Sequence, residues 1–255
     1  MKNIFILLLG VLIMSLEAKT KLTNSEHLFN IPEASGMVIS GNDMFVANDE
    51  GYLYMIKDFE TNHKKERMYI GDYDIEGLAI DGDNLFILLE ELKTILIIDK
   101  NSALKHELKV INSCKIKRKF NKKNLYVKKG DGFEGITIDK DIIYISNQSN
   151  KIKYSHIFTL DKNEVLQYQK VKAKSILEKS NAIDIAGMDV YKNKLYYLSD
   201  KSNRLYIKKL NRLNNKPLII KMEKGYAQEG LFLTDEFIYI ADDNGKIIRY
   251  KNTLD

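Results

Sequence analysis

Residues Gly132-Phe-Glu-Gly-Ile-Thr-Ile-Asp-Lys-Asp-Ile-Ile-Tyr-Ile-Ser-Asn147 decide the fold. They read as a β-hairpin. A Glu-Gly corner leads into a short apolar run, a turn falls at Lys140-Asp141, and a second run rich in β-branched residues follows. The pattern recurs along the chain. Glu33-Ala-Ser-Gly36 precedes Met37–Ile39, a turn at Gly41-Asn42, and Met44–Asp49. Asp74-Ile-Glu-Gly77 precedes Leu78–Ile80, a turn at Gly82, and Leu85–Glu90. Asp184-Ile-Ala-Gly187 precedes Met188–Val190, a turn at Lys192-Asn193, and Leu195–Asp200. Ala227-Gln-Glu-Gly230 precedes Leu231–Leu233, a turn at Asp235-Glu236, and Phe237–Asp242.

The repeat glycines, 36, 77, 135, 187 and 230, stand 41, 58, 52 and 43 residues apart. Units of this length, each with three or four short strands, are blades of a propeller. A lone four-stranded sheet leaves both faces bare, and stacking sheets around an axis covers them. The expected fold is therefore all-β, a five-bladed β-propeller of four-stranded antiparallel blades. The last unit ends at Tyr250 one strand short, and His27–Ile31 is predicted to pair with Ile247–Tyr250 and close the ring. Two stretches depart from the repeat: a basic insertion at 113–131 and a connector at 173–183, with a short helix expected near Lys174–Lys179. The fifteen tyrosines, Tyr52, Tyr54, Tyr196, Tyr197 and Tyr239 among them, fall mostly in strands and are expected to pack there.

Outward from the repeats, Lys2 and the apolar run Ile4–Leu16 read as a secretory signal with Ala18 at the cut. The run is too short to span a bilayer, which takes about 20 residues. Residues 1–18 are thus expected to be a signal peptide and 19–255 a single propeller domain, exported to the periplasm or secreted. No later segment is apolar enough to span a membrane. The 255 residues carry 40 basic and 35 acidic side chains, a net charge of +5, so no nucleic-acid partner is expected and a monomer is. Disorder is excluded by the 44% hydrophobic content. Cys114 is the one cysteine, which excludes a disulfide scaffold and predicts a buried thiol.

The corners carry the candidate site. Counting outward from each hairpin turn places Gly230 opposite Ala241, Glu229 opposite Asp242, Glu134 opposite Asn147 and Ile75 opposite Glu90. All corners then crowd one mouth of the central channel, where Glu33, Glu76, Glu134, Asp184 and Glu229 meet. Asp49, Glu90, Asn147, Asp200 and Asp242 stand behind them. Carboxylates this close raise one another's pKa unless a cation is present. Oxygen donors suit a hard cation, Ca²⁺ before Mg²⁺. The competing reading is structural: acidic residues cap turns and the glycines allow close packing. His27, His63, His106 and His156 are scattered, and no zinc set assembles with Cys114. The chain lacks a nucleophile elbow, a P-loop and a dinucleotide fingerprint. Asp81-Gly-Asp83-Asn84 lacks the spacing of a calcium loop and reads as a turn.

At these corners the chain resembles the SdiA-regulated, YjiK-like family of exported bacterial proteins. The likeness lies in Glu33-Ala-Ser-Gly36 with Asn48-Asp49-Glu50, Asp74-Ile-Glu-Gly77 with Glu90-Glu91, Gly132-Phe-Glu-Gly135, Asp184-Ile-Ala-Gly187 with Ser199–Ser202, and Gln228-Glu-Gly230. It spans about residues 26–251. The resemblance implies a five-bladed propeller with a calcium site, distantly similar to NHL-repeat proteins, and no established reaction. Glu76, Glu134 and Glu229 are the glutamates it carries over, and Ala186 departs from the pattern. The expected function is a calcium-binding interaction module that takes a small molecule or protein segment at the channel mouth. The alternative is a calcium-dependent hydrolase of a lactone or phosphoester, with Asp200 or Asp242 as base.

Overall fold

The fold is taken from a computed structural model, which describes residues 21–118, 132–149, 151, 155–177 and 180–254. The signal sequence at 1–18 and most of the basic insertion, 119–131, lie outside the described residues.

The strands follow the hairpin repeat. β1 (Glu26–Asn30) leads into β2 (Ala34–Ser40), β3 (Asp43–Asn48), β4 (Tyr52–Ile56) and β5 (Glu66–Tyr69). Next come β6 (Ile75–Asp81), β7 (Asn84–Leu89), β8 (Thr94–Asp99) and β9 (Val110–Arg118). Then follow β10 (Phe133–Asp139), β11 (Ile142–Asn147), β12 (Ile157–Asp161) and β13 (Lys170–Leu177). β14 (Ile185–Tyr191), β15 (Lys194–Ser199), β16 (Arg204–Lys209) and β17 (Leu218–Lys221) precede β18 (Gln228–Leu233), β19 (Phe237–Asp242) and β20 (Lys246–Lys251). Two short helices, α1 (Lys100–Ala103) and α2 (Lys162–Gln167), start at Asp99 and Asp161, whose carboxylates accept the free N–H groups of the first turn.

These strands make three four-stranded sheets, β2-β3-β4-β5, β14-β15-β16-β17 and β18-β19-β20-β1, and one of eight. β1 lies antiparallel on β20, with His27 opposite Ile248 and Phe29 opposite Ile247, so the N-terminal segment supplies the strand that the last unit lacks. The eight-stranded sheet departs from the expectation of separate four-stranded blades. It consists of the meanders β6–β9 and β10–β13 joined edge to edge, Lys115–Arg118 of β9 lying parallel to Lys170–Ala173 of β13. An open edge strand is a template for another, and here the two long outer strands satisfy each other. Residues 113–118 therefore belong to a strand and not to a loop. The helix expected near Lys174–Lys179 is also corrected, since Lys174–Leu177 continues β13. In Lys170-Val-Lys-Ala-Lys, lysines face out and Val171 and Ala173 face in, and that period of two wins over helix propensity.

Burial explains the sequence of each strand. The second strand of every hairpin, β3, β7, β11, β15 and β19, is buried along nearly its whole length. Outer strands such as β5 and β17 bury only one residue each. A sheet sandwiched between two others needs continuous apolar runs at its middle and alternation only at its rim. The apolar clusters fall between successive units: Phe45 and Leu53 with Leu85 and Ile87, Phe86 and Ile95 with Phe133 and Ile145, and Ile157 and Leu177 with Leu195 and Tyr197. Leu205 and Ile207 then pack with Ile238 and Ile248, and Tyr239 and Ile247 pack back on Met37 and Val46. Each fully buried Leu, Ile, Val or Phe stabilises by about 1.5–3 kcal/mol. Cys114 is buried in one of these clusters, and burial pushes its thiol up to about 11.

The inner strands run in a ring, β2 packing on β6, β6 on β10, β10 on β14, β14 on β18 and β18 on β2. The repeat glycines are the contact points. A Cβ on Gly36 would lie 2.6 Å from the backbone nitrogen of Leu78, and one on Gly77 would lie 2.6 Å from the carbonyl oxygen of Glu134. Gly135 meets Ala186, Gly187 meets Glu229, and Gly230 closes on Met37 in the same way. Backbone against backbone leaves no room for a side chain, which is why the repeat retains glycine there.

Candidate functional site: the acidic mouth of the channel

Every inner hairpin carries a β-bulge beside its glycine. In β6 and β7, Ile75 pairs with Leu89 and Gly77 with Leu88, which leaves Glu76 without an opposite number. Ser35 is left over between Ala34 and Gly36, and Glu229 between Gln228 and Gly230. The irregular register also falls at Glu134 in β10 and at Ala186 in β14. The registers expected from counting are therefore corrected. Gly230 does face Ala241, but Gln228, not Glu229, faces Asp242; Phe133, not Glu134, faces Asn147; and Leu89, not Glu90, faces Ile75. A bulge sets two residues against one, bends the strand and re-aims the extra side chain.

The bulge side chains and the five glycines meet at the start of the inner strands. Gly36, Gly77, Gly135, Gly187 and Gly230, with Glu76, Glu229 and Ser35, line a throat with about 10 Å³ of free volume. That is room for one water-sized occupant. Ser35 donates its hydroxyl to the carbonyl of Ile75, and Ser146 donates to that of Ile185. Two units carry Ser35 and Ala186 in place of a bulge glutamate, which breaks any five-fold symmetry of charge.

Three carboxylates converge most closely. Oxygens of Asp74, Glu76 and Glu90 lie within 4.8 Å of one another, and this is the one such group of possible metal ligands among the described residues. Asp74 stands just before β6 and Glu76 is its bulge residue, and their carboxylates come together there. Glu90 leans from the β7–β8 turn across Gly132, whose N–H donates to it and whose missing Cβ makes the space. Glu134, 4% exposed, and Glu229 stand beside this group.

The charges here are mutually unfavourable. Burial, followed by Asp74, Glu229 and Glu90, pushes the Glu76 carboxyl up to about 9. Glu90 rises to about 7 through burial and its hydrogen bond with Asp74. Burial holds Glu134 well above the usual carboxylate range, and Glu76, Glu229, Asp184 and Glu90 add to it. Glu229 is raised likewise, by burial and then by Asp200 and Asp184. Asp49 reaches about 6 through burial and the charge of Glu33. Lys201 works in the opposite sense on Asp184 and Asp200, both still raised by burial.

Not every candidate enters this centre. Glu33 is exposed, in a left-handed turn (φ 47°), and Asp184 is half-buried with φ 56°, so these two form the rim. Asp242 caps its own turn, its carboxylate accepting from the N–H of Ala227 at 2.7 Å and of Asn244 at 3.1 Å. Asn48 accepts from Tyr52 and Asn147 from His156 in the same manner. Within the second row, the structural reading thus fits Asn147 and Asp242. The residue that sequence reasoning missed is Asp74. Its signal was the i, i+2 spacing to Glu76, visible in Asp74-Ile-Glu76.

No family model and no curated protein matches the chain. Similar solved structures exist. The glutaminyl cyclase of Myxococcus xanthus is 11% identical over 91% of this chain and 94% of its own, with a TM-score of 0.61. A luciferin-regenerating enzyme is 10% identical over 91% of this chain and 96% of its own, at 0.57. A chain of a nidogen/laminin complex is 12% identical over 86% of each chain, at 0.56. At such identities the likeness is one of fold, and with the ring of inner strands it shows a β-propeller.

Proposed function

We propose that the chain is an exported five-bladed propeller of the SdiA-regulated, YjiK-like kind. Its channel mouth holds a calcium ion and binds a small molecule or a protein segment. The observation that carries this reading is the convergence of Asp74, Glu76 and Glu90 beside Glu134 and Glu229. The donors are all oxygen, as a hard cation requires, and no histidine or cysteine stands among them. Carboxyls raised by burial and by one another's charge are the groups that a dication would return to the ionised state. Glu76, Glu134 and Glu229 would hold the ion with Asp74 and Glu90, while Asp184 and Glu33 set the charge of the rim. The order of the inner strands and the five repeat glycines favour five blades.

The test is thermal unfolding of residues 19–255 in EDTA and in excess Ca²⁺. At about 100 times Kd a ligand of the folded state adds roughly 2.7 kcal/mol. In a chain of this size that raises Tm by about 5–10 °C. The shift should vanish in Glu76→Gln. No shift, and no heat of Ca²⁺ binding by calorimetry, would overturn the reading.

A second reading has one observation in its favour. Burial raises the Glu134 and Glu229 carboxyls well above the usual carboxylate range, the direction that suits a general acid. This is the calcium-dependent hydrolase. Asp242, tied into its turn, is poorly placed as its base, and Asp200, which accepts the N–H of Gln228 at 3.1 Å, is the better one. Turnover of a lactone or phosphoester that is lost in Glu134→Gln and Asp200→Asn would favour the enzyme over the binding module.

A further inference from the structure

The far end of the same channel differs in chemistry from the mouth. Two residues after each repeat glycine the chain places Val38, Ala79, Thr137, Asp189 and Phe232. These residues line a cavity of about 180 Å³, walled otherwise by apolar neighbours on the same inner strands. One carboxylate stands in it. A carboxylate taken from water into apolar surroundings is costly unless it is compensated.

Among the described residues, the compensation is partial and entirely neutral. One Asp189 oxygen accepts the N–H of Leu233 at 2.7 Å, and the other accepts the Thr137 hydroxyl at 3.3 Å. The N–H of Val190 is a further donor to it, and Val190 also reaches the Thr137 oxygen at 3.2 Å. An ionised carboxylate offers about four acceptor sites, so these three donors leave capacity for one more. They come from β10, β14 and β18 and hold the group in one orientation. Burial pushes its carboxyl up to about 7 in the absence of a countercharge.

We propose that this end of the channel is a binding site for a small primary amine with a compact apolar body, the Asp189 carboxylate pairing with the ammonium. Val38, Ala79 and Phe232 line the cavity and supply apolar wall for the body. The volume lies below the roughly 300–1,000 Å³ of sites for drug-sized ligands, which restricts the occupant to about the size of benzylamine. The glycine throat, with about 10 Å³ free, separates this site from the acidic mouth. The proposal therefore does not depend on calcium.

The probes are benzylamine, cyclohexylamine and the neutral benzyl alcohol, titrated by calorimetry and by thermal shift. Saturable binding of both amines is expected, at least tenfold tighter than that of the alcohol. Asp189→Asn should abolish the preference for amine and leave the alcohol unchanged. Ala79→Leu, which adds bulk at the cavity from a different strand, should weaken all three while the variant still unfolds cooperatively in denaturant. If Asp189→Asn fails to fold, loss of amine binding in Ala79→Leu still supports the site. Amines that bind no better than the alcohol, or equally well to Ala79→Leu, would overturn it and leave Asp189 as a tie between strands.

Discussion

The two ends of the channel are built from the same five strands and carry opposite chemistry. At the mouth, the residue before each glycine sits in a bulge, and three of these residues are glutamates. At the far end, the residue two places after each glycine lies in regular sheet, and four of those five are uncharged. The bulge frees a side chain from the packing that governs the rest of the strand, so polar residues are tolerated there. Regular pairing past the glycine brings apolar packing back. Backbone irregularity places the three glutamates of the mouth, and Asp74 and Glu90 join Glu76 from the turns that flank β6 and β7.

The largest expected effect falls at the ring that divides the two ends. Gly77→Val would drive a branched side chain into the Glu134 carbonyl and the neighbouring strand. A loss of about 3 kcal/mol or more, or failure to fold, is expected, the upper range for overpacking. Gly82→Ala provides the contrast, since its Cβ meets nothing within 4 Å and only the positive φ (58°) is strained. Denaturant unfolding of both should give a small loss at Gly82, of about 1 kcal/mol. Equal losses would mean that the ring is not closely packed.

Next in size is the response to Ca²⁺ that the proposed function predicts for the mouth. In EDTA, Glu134→Gln removes one of the mutually repelling carboxyls, and the metal-free chain is expected to gain about 1–2 kcal/mol at pH 8. In excess Ca²⁺ the order should invert, with the parent chain the more stable. Unfolding with and without EDTA checks the sign. A variant less stable than the parent in both conditions would make Glu134 a structural hydrogen-bonding group.

The dependence on pH separates the ends again. A carboxyl raised in the folded chain keeps its proton after the unfolded chain has lost it. The folded state then binds more protons, and stability falls as pH rises. For Asp189 the window runs from 3.8 in the unfolded chain to about 7, and for Glu76 from 4.5 to about 9. Stability in EDTA should therefore decline across pH 4–9. Saturating Ca²⁺ should remove the part of the decline that belongs to the mouth. Asp189→Asn should remove only the share that Asp189 contributes between 3.8 and about 7, with or without Ca²⁺. Parallel pH profiles for the parent and Asp189→Asn would show that the far carboxylate does not titrate in this range.

Much of this architecture was legible because a hairpin repeat is a local pattern. Glu134, Gly135, the turn at Lys140 and the run to Asn147 all lie within 16 residues. The strand that completes the last sheet was legible too, from an unpartnered β20 and an apolar segment at the start. The bulges were not. A bulged strand keeps the same residues and loses only its count, so counting sets Glu229 opposite Asp242 where Gln228 stands. The β9–β13 pairing was hidden because it joins segments about 55 residues apart through lysine-rich strands. In the candidate site, the three glutamates stood out as repeated letters. Asp74 holds the place in its unit that Glu33 and Asp184 hold in theirs, but Glu76 already represents that unit. Taking one acid from each corner passes over the second, and only the side-chain positions bring Asp74 together with Glu90.

The smallest effect tests where the acidic centre ends. Glu33 belongs to the same repeated corner as Glu76 and Glu134, yet it is exposed and stands two residues before the bulge position at Ser35. Its charge reaches the centre through Asp49, which it helps to raise. Solvent screens an exposed carboxylate, so Glu33→Gln should change stability by no more than about 0.5 kcal/mol. The Ca²⁺-induced rise in Tm should stay within about 1–2 °C of the parent's. Loss of the whole calcium response in Glu33→Gln would move the ion outward to the rim, toward Asp49. The glycine throat would then be a plug, and the bulge glutamates would act only through their protons.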